Sequence, residues 1–79
     1  MNPRQVKITA LWDEEAEVWV AESDDVPGLV AEAPSIPALI KRLQVLIPEL
    51  LDENGYPDGE DVPFEIDAIV RGIAHREMA

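Results

Sequence analysis

From residue 6 onward apolar side chains recur at every second position: Val6, Ile8, Ala10 and Trp12, with Lys7 and Thr9 among the intervening residues. That is the period of a strand with one buried face, and it predicts a first strand over Val6–Trp12. Asp13-Glu14-Glu15-Ala16 is a polar four-residue connection. Val18-Trp19-Val20-Ala21 then resumes the β-branched and aromatic pattern, so the two runs are expected to pair as an antiparallel hairpin with one tryptophan on each side of the turn.

Ser23-Asp24-Asp25-Val26-Pro27-Gly28 is dense in turn formers. Asp side chains bond nearby backbone amides, proline sets its own φ and glycine permits positive φ, so a tight reversal belongs there. Leu29–Ala33 reads as a short third strand that completes a meander, with its edge limited by Pro34. Ile36, Leu39, Ile40, Leu43, Leu46, Ile47, Leu50 and Leu51 then fall at i, i+3, i+4, i+7 spacing, which places them on one stripe of a helix. Ser35 is the expected N-cap, Pro37 falls in the first turn where a missing N–H is harmless, and Asn54-Gly55 supplies a stop.

The predicted helix spans Ile36–Glu53, with a kink at Pro48, which has no N–H to offer the carbonyl of Gln44. The stripe stays in phase on both sides of Pro48, so one bent helix against one surface is expected, with Lys41, Arg42, Glu49, Asp52 and Glu53 facing water. After the turn-rich segment from Tyr56 to Asp61, Phe64, Ile66, Ala68 and Val70 alternate with Glu65 and Asp67 to predict a fourth strand. The tail from Arg71 to Ala79 has no clear period. The resulting class is α+β in the order β-β-β-α-β: an antiparallel three-stranded meander, one helix on one face, and a last strand that crossover rules allow to lie parallel beside a meander strand.

The 79 residues permit a single domain, with a core at about residues 5–70, that buries about 60–65% of the surface its unfolded chain exposes. Apolar residues at 47% and charged residues at 29% are globular values and argue against intrinsic disorder. The absence of cysteine excludes disulfides and thiolate metal sites and fits a reducing compartment, so a cytoplasmic location is expected. Neither a secretion signal nor an apolar run near the ~20 residues of a membrane span is present. Seventeen acidic against six basic residues give a net charge of −11, which repels nucleic-acid phosphates and anionic lipid and would steer a basic protein partner inward. Direct nucleic-acid and membrane binding are therefore not expected.

The chemistry-bearing residues point away from catalysis. Asp13, Asp24, Asp25 and Asp67 are the carboxylates an enzyme reading would need to converge, and nothing in their spacing forces them together. Asp58-Gly59-Glu60-Asp61 lacks the twelve-residue ligand spacing of an EF-hand and reads as a solvated acidic loop. His75 is the only imidazole, Ser23 and Ser35 read as turn and cap residues, and the four glycines form no phosphate-cradling pattern. No cofactor follows. Trp12 and Trp19 are candidates either for core packing across the hairpin or for partner anchors.

Three tracts carry a resemblance: Ile8-Thr9-Ala10-Leu11-Trp12-Asp13-Glu14-Glu15-Ala16, then Val18-Trp19-Val20-Ala21-Glu22-Ser23-Asp24-Asp25-Val26-Pro27-Gly28-Leu29, then Pro48-Glu49-Leu50-Leu51-Asp52-Glu53-Asn54-Gly55. Together, over roughly Val6 to Gly55, they resemble the short stand-alone HicB-like proteins, which are similar to the N-terminal domain of HicB antitoxins. The resemblance implies a degraded ribonuclease H-like fold, whose catalytic relatives hold divalent metals with carboxylates on the first strand, the helix and the fourth strand. Here Lys7 and Thr9 occupy the middle of strand one and the helix has no acid before Glu49, which implies a domain without that catalysis.

HicB antitoxins neutralise HicA, a small basic toxin that cleaves messenger RNA, and the resemblance therefore implies an acidic domain that covers a basic surface. Family members with operator-binding activity add a C-terminal DNA-binding domain. Only about nine residues follow Val70, so operator binding is not expected of this chain by itself. The expected partner-facing residues are Asp13, Glu14, Glu15, Asp24 and Asp25, with Trp12 and Trp19 as anchors. Two other readings remain: a homo-oligomeric module without a toxin, using the edges of strands three and four and the apolar Val45, and a metal-dependent nuclease that kept the ribonuclease H chemistry.

Overall fold

In the computed structural model, described for residues 5–53, 55 and 61–77, the chain forms β1 (Val6–Asp13), β2 (Val18–Glu22), β3 (Val30–Ala33), α1 (Ile36–Glu53) and β4 (Phe64–Ile69). The four strands make one sheet in the order β3-β2-β1-β4, antiparallel across the meander and parallel between β1 and β4. The expected β-β-β-α-β arrangement is therefore the one formed. β3 and β4 are its two edges.

Sheet and helix meet through the alternation in β1: Val6, Ile8 and Ala10 are buried while Lys7, Thr9 and Leu11 point to the other face. On the covered face the register aligns Ala31, Ala21, Ala10 and Ala68, one from each strand, in a single row. Leu39, Leu43, Ile47 and Leu51, each four residues apart, form the buried edge of α1 and share one core with Ile8, Ala10, Ala21 and Ala31. Small residues on the sheet leave room for these branched ones on the helix, the interdigitation that interior packing density requires.

Ser35 caps the helix as expected: the Ala38 N–H donates to Ser35 Oγ at 3.2 Å and the Leu39 N–H to the Ser35 carbonyl at 2.9 Å. The helix continues through Pro48 as one element, and Gly55 follows it at φ 78° with its N–H on the Asp52 carbonyl. The turn-rich segment Tyr56–Glu60, with Asp58, Gly59 and Glu60 of the acidic loop, lies outside the described residues, as does Asn54.

Four boundaries differ from expectation. The strands of the hairpin extend through Asp13 on one side and to Glu22 on the other, moving the connection to residues 14–17, with Glu17 at φ 58°. Asp13 makes this possible by capping the turn it precedes. Its carboxylate accepts from the N–H groups of Glu15 at 3.1 Å and Ala16 at 3.2 Å, while its carbonyl accepts from the Glu17 N–H at 2.7 Å. β3 begins at Val30, because the N–H of Leu29 is spent inside the preceding turn on the Val26 carbonyl. β4 ends at Ile69, leaving Val70 exposed beyond the ladder.

Candidate functional site

The expected partner-facing residues separate into two groups at opposite ends of β1. Asp13, Glu14 and Glu15 are exposed at the hairpin turn, and Trp12 and Trp19 pair directly across the same hairpin end. Asp24 and Asp25 lie beyond β2, where Asp25 meets Lys7. Asp13 lies six residues along the strand from Lys7, about 20 Å at the ordinary rise. The seven residues do not form one site.

Asp25 has a structural duty that its sequence context did not announce. β2 stops pairing with β1 at the Thr9–Glu22 rung, which leaves the backbone of Lys7 without a strand partner on that side. Two side chains take over: the Lys7 N–H donates to Asp25 Oδ2 at 2.9 Å, and Ser23 Oγ donates to the Lys7 carbonyl at 2.7 Å. The Asp25 N–H in turn donates to Ser23 Oγ at 3.0 Å, locking the two together. The local Asx bonding expected of Asp25 is thus corrected: Ser23 makes the local turn bond, and the carboxylate reaches an amide eighteen residues away in sequence.

The rest of that tract is a hydrophobic plug. Val26 and Leu29 are fully or almost fully buried on either side of the exposed pair Pro27-Gly28, and Gly28 sits at φ 83°. The left-handed conformation there explains the glycine of the Asp-Val-Pro-Gly-Leu sequence without any ligand. Asp25→Ala should accordingly cost about 1 kcal/mol of stability, the worth of a lost hydrogen bond at a partly exposed site, while Asp25→Asn keeps an acceptor and costs less. Urea denaturation of the two variants checks this; a stability unchanged in both would remove the ladder-extending role.

Trp12 and Trp19 are both half-buried, with ring centroids 5.4 Å apart in an edge-to-face arrangement at 62°. Trp19 packs on the core cluster, and both lie on the covered face because they continue the parity of Ala10 and Ala21. Their position past the end of the core leaves part of each ring in solvent. They therefore serve packing first and remain reachable at one end of the molecule.

The other face of the sheet has no element laid over it among the described residues. Its central row, read across β4, β1, β2 and β3, is Ile69, Leu11, Val20 and Glu32. The next row is Asp67, Thr9, Glu22 and Val30, followed by Glu65 beside Lys7, while Asp13 and Val18 close the opposite end. An apolar centre of Ile69, Leu11 and Val20 is thus bordered by five carboxylates and one lysine. Leu11, on a central strand, and Ile69, at the end of the edge strand β4, are each 38% exposed. Glu22, Glu32, Glu65 and Asp67 were not singled out by sequence reasoning as partner-facing; strand alternation marks each as outward, but only the strand order shows that they border one surface.

No group of three or more acidic or histidine side chains converges in a way that would hold a metal ion among the described residues. Asp67 is exposed on β4 and His75 is exposed in the segment after it. No helix of the described residues is long and apolar enough to cross a membrane.

These features define a small α+β domain whose mixed four-stranded sheet, among the described residues, is covered by one helix on one face and open on the other. The chain belongs to the family described as a domain of unknown function, DUF1902, whose model matches residues 5–74. It is also similar, at 49% identity, to a hypothetical protein from the extremely thermophilic bacterium Thermus thermophilus, whose crystal structure superposes with a TM-score of 0.77 over 91% of this chain and 100% of that one. No curated protein matches the chain.

Proposed function

We propose that this chain is a non-catalytic, HicB-like interaction domain that neutralises a small basic HicA-like toxin by covering its RNA-binding surface. The observation that carries the reading is the open sheet face, where Leu11, Val20 and Ile69 are framed by Asp13, Glu22, Glu32, Glu65 and Asp67. An apolar centre with a charged border is the anatomy of a protein interface, and the border has the sign that a cationic RNA-binding surface would meet. The net charge of −11 adds long-range attraction for such a partner. The exposed hairpin acids Glu14 and Glu15 extend the same negative surface at one end.

The test mixes the purified chain with a HicA-like toxin and follows both binding calorimetry and messenger-RNA cleavage. A complex in the micromolar range or tighter that suppresses cleavage is expected. Leu11→Arg should weaken it at least tenfold by placing a charge in the apolar centre, and Glu22→Lys with Asp67→Lys should slow association and flatten its salt dependence. Glu53→Lys, at the end of α1, should leave it unchanged. Absence of a complex at high micromolar concentration, or equal weakening by Glu53→Lys, would overturn the reading.

A further inference from the structure

A second surface, argued without the toxin reading, runs along the β3 edge of the sheet and meets the open face at Glu32. Between the free edge of β3 and α1 runs a groove lined by Val30, Glu32 and Pro34 on the strand side and by Lys41, Val45 and Glu49 on the helix side. Val30 is 66% and Val45 62% exposed, so two β-branched aliphatic side chains stand in solvent beside a strand edge that no strand of the described residues pairs with. Such an edge is a ready template for another strand.

The charge pattern of α1 selects the occupant. Its only two basic residues, Lys41 and Arg42, precede its midpoint, while Glu49, Asp52 and Glu53 fill its last two turns. There is no acid in the first turn and no base in the last, so the charges run against the helix's own dipole. That arrangement is unfavourable within one helix and self-complementary between two antiparallel copies. Lys41, Val45 and Glu49 are successive members of one i, i+4 ridge. About a two-fold axis at Val45, Lys41 of each copy meets Glu49 of the other, with the two valines in contact at the centre.

We infer that this groove is the interface of a two-fold homodimer, in which β3 pairs antiparallel with β3 of a second copy and the two α1 helices lie side by side. The strand geometry agrees. Opposed residues must share a face, so the axis passes through either Ala31 or Glu32. The Glu32 choice sets two carboxylates against each other, while the Ala31 choice sets Val30 against Glu32 of the second copy. Ala31 and Val45 line the same groove, and the proposed dimer places one axis through both layers. The remaining surface of a chain at −11 repels a second copy, which makes this charge-balanced strip the place where two chains meet. A standard interface needs about 600–1,000 Å² per protomer, roughly a tenth to a sixth of the chain's 6354 Å². The open sheet face stays free in the dimer.

Sedimentation equilibrium of the full chain tests this, with far-UV circular dichroism to confirm that each variant is folded. The wild type should sediment at twice its 8.8 kDa mass in the micromolar range. Lys41→Glu and Glu49→Lys should each raise the dimer dissociation constant at least tenfold, because each sets like charges together. The double variant K41E/E49K exchanges the pair and should return to within about threefold of wild type, a rescue that a general loss of folding could not produce. A chain that stays monomeric at several hundred micromolar, a dimer indifferent to Lys41→Glu, or a double variant as weak as either single one would overturn the inference.

Discussion

Replacing Leu43 by alanine is expected to remove about 2–5 kcal/mol of stability. Leu43 is wholly buried in the middle of α1, between Leu39 and Ile47 on the stripe that meets the sheet. The alanines of the facing strands have no side-chain length with which to fill the space it leaves, so the cost should include a cavity as well as the lost transfer energy. For a chain of this size total stability is about 4–12 kcal/mol, and the substitution consumes a large part of it. The check is urea denaturation followed by tryptophan fluorescence. A midpoint lowered at unchanged slope is the expected result, and a loss below about 1 kcal/mol would show that α1 collapses onto the sheet without penalty.

The converse substitution, Ala21→Leu, tests the same layer from the other side and should cost about 1–3 kcal/mol. Ala21 is fully buried, at the rung it shares with Ala10 and Ala31, and a leucine there would drive into the helix stripe. Thermal unfolding by circular dichroism checks it. A shift of roughly 4–8 °C per kcal/mol is expected for a domain of this size, and an unchanged midpoint would mean that the row of alanines does not set the spacing between sheet and helix. Combining Ala21→Leu with Leu43→Ala should recover part of the loss if the two positions share the same space, since neighbouring core changes are not additive.

The two proposed surfaces divide the molecule. The face bordered by Asp13, Glu22, Glu32, Glu65 and Asp67 suits a cationic partner, while the strip with Lys41 and Glu49 suits another copy of the chain. Glu32 belongs to both, being on the edge strand and facing the open side. The pair of tests separates them, because Leu11→Arg leaves the groove untouched and Lys41→Glu leaves the open face untouched.

Much of the architecture was legible in the chain itself, wherever the signal was local. The alternation Val6, Ile8, Ala10 marked the covered face of β1, and the four-residue spacing of Leu39, Leu43, Ile47 and Leu51 marked the buried stripe of α1. Ser35 and Gly55 bounded the helix through capping chemistry that acts within a few residues. The outward parity of Asp67 and the exposure of Val45 also followed from period alone.

What depended on contacts distant in sequence was decided only by the tertiary structure. The carboxylate of Asp25 was expected to bond locally and instead closes the sheet against Lys7. Asp13 and Asp25, both acids next to meander turns, end up at opposite ends of β1, because a strand carries its residues apart at a fixed rise. Glu22, Glu32, Glu65 and Asp67 come to border one surface only because β4 lies beside β1 and β3 beyond β2, an order no local period encodes. Sequence by itself thus determined which residues are buried in β1 and along α1 and where most elements start, since hydrophobic period and capping are near-neighbour effects. Strand order and the joining of separate strands into shared surfaces came from packing all elements on one core, and on them rest both candidate interfaces.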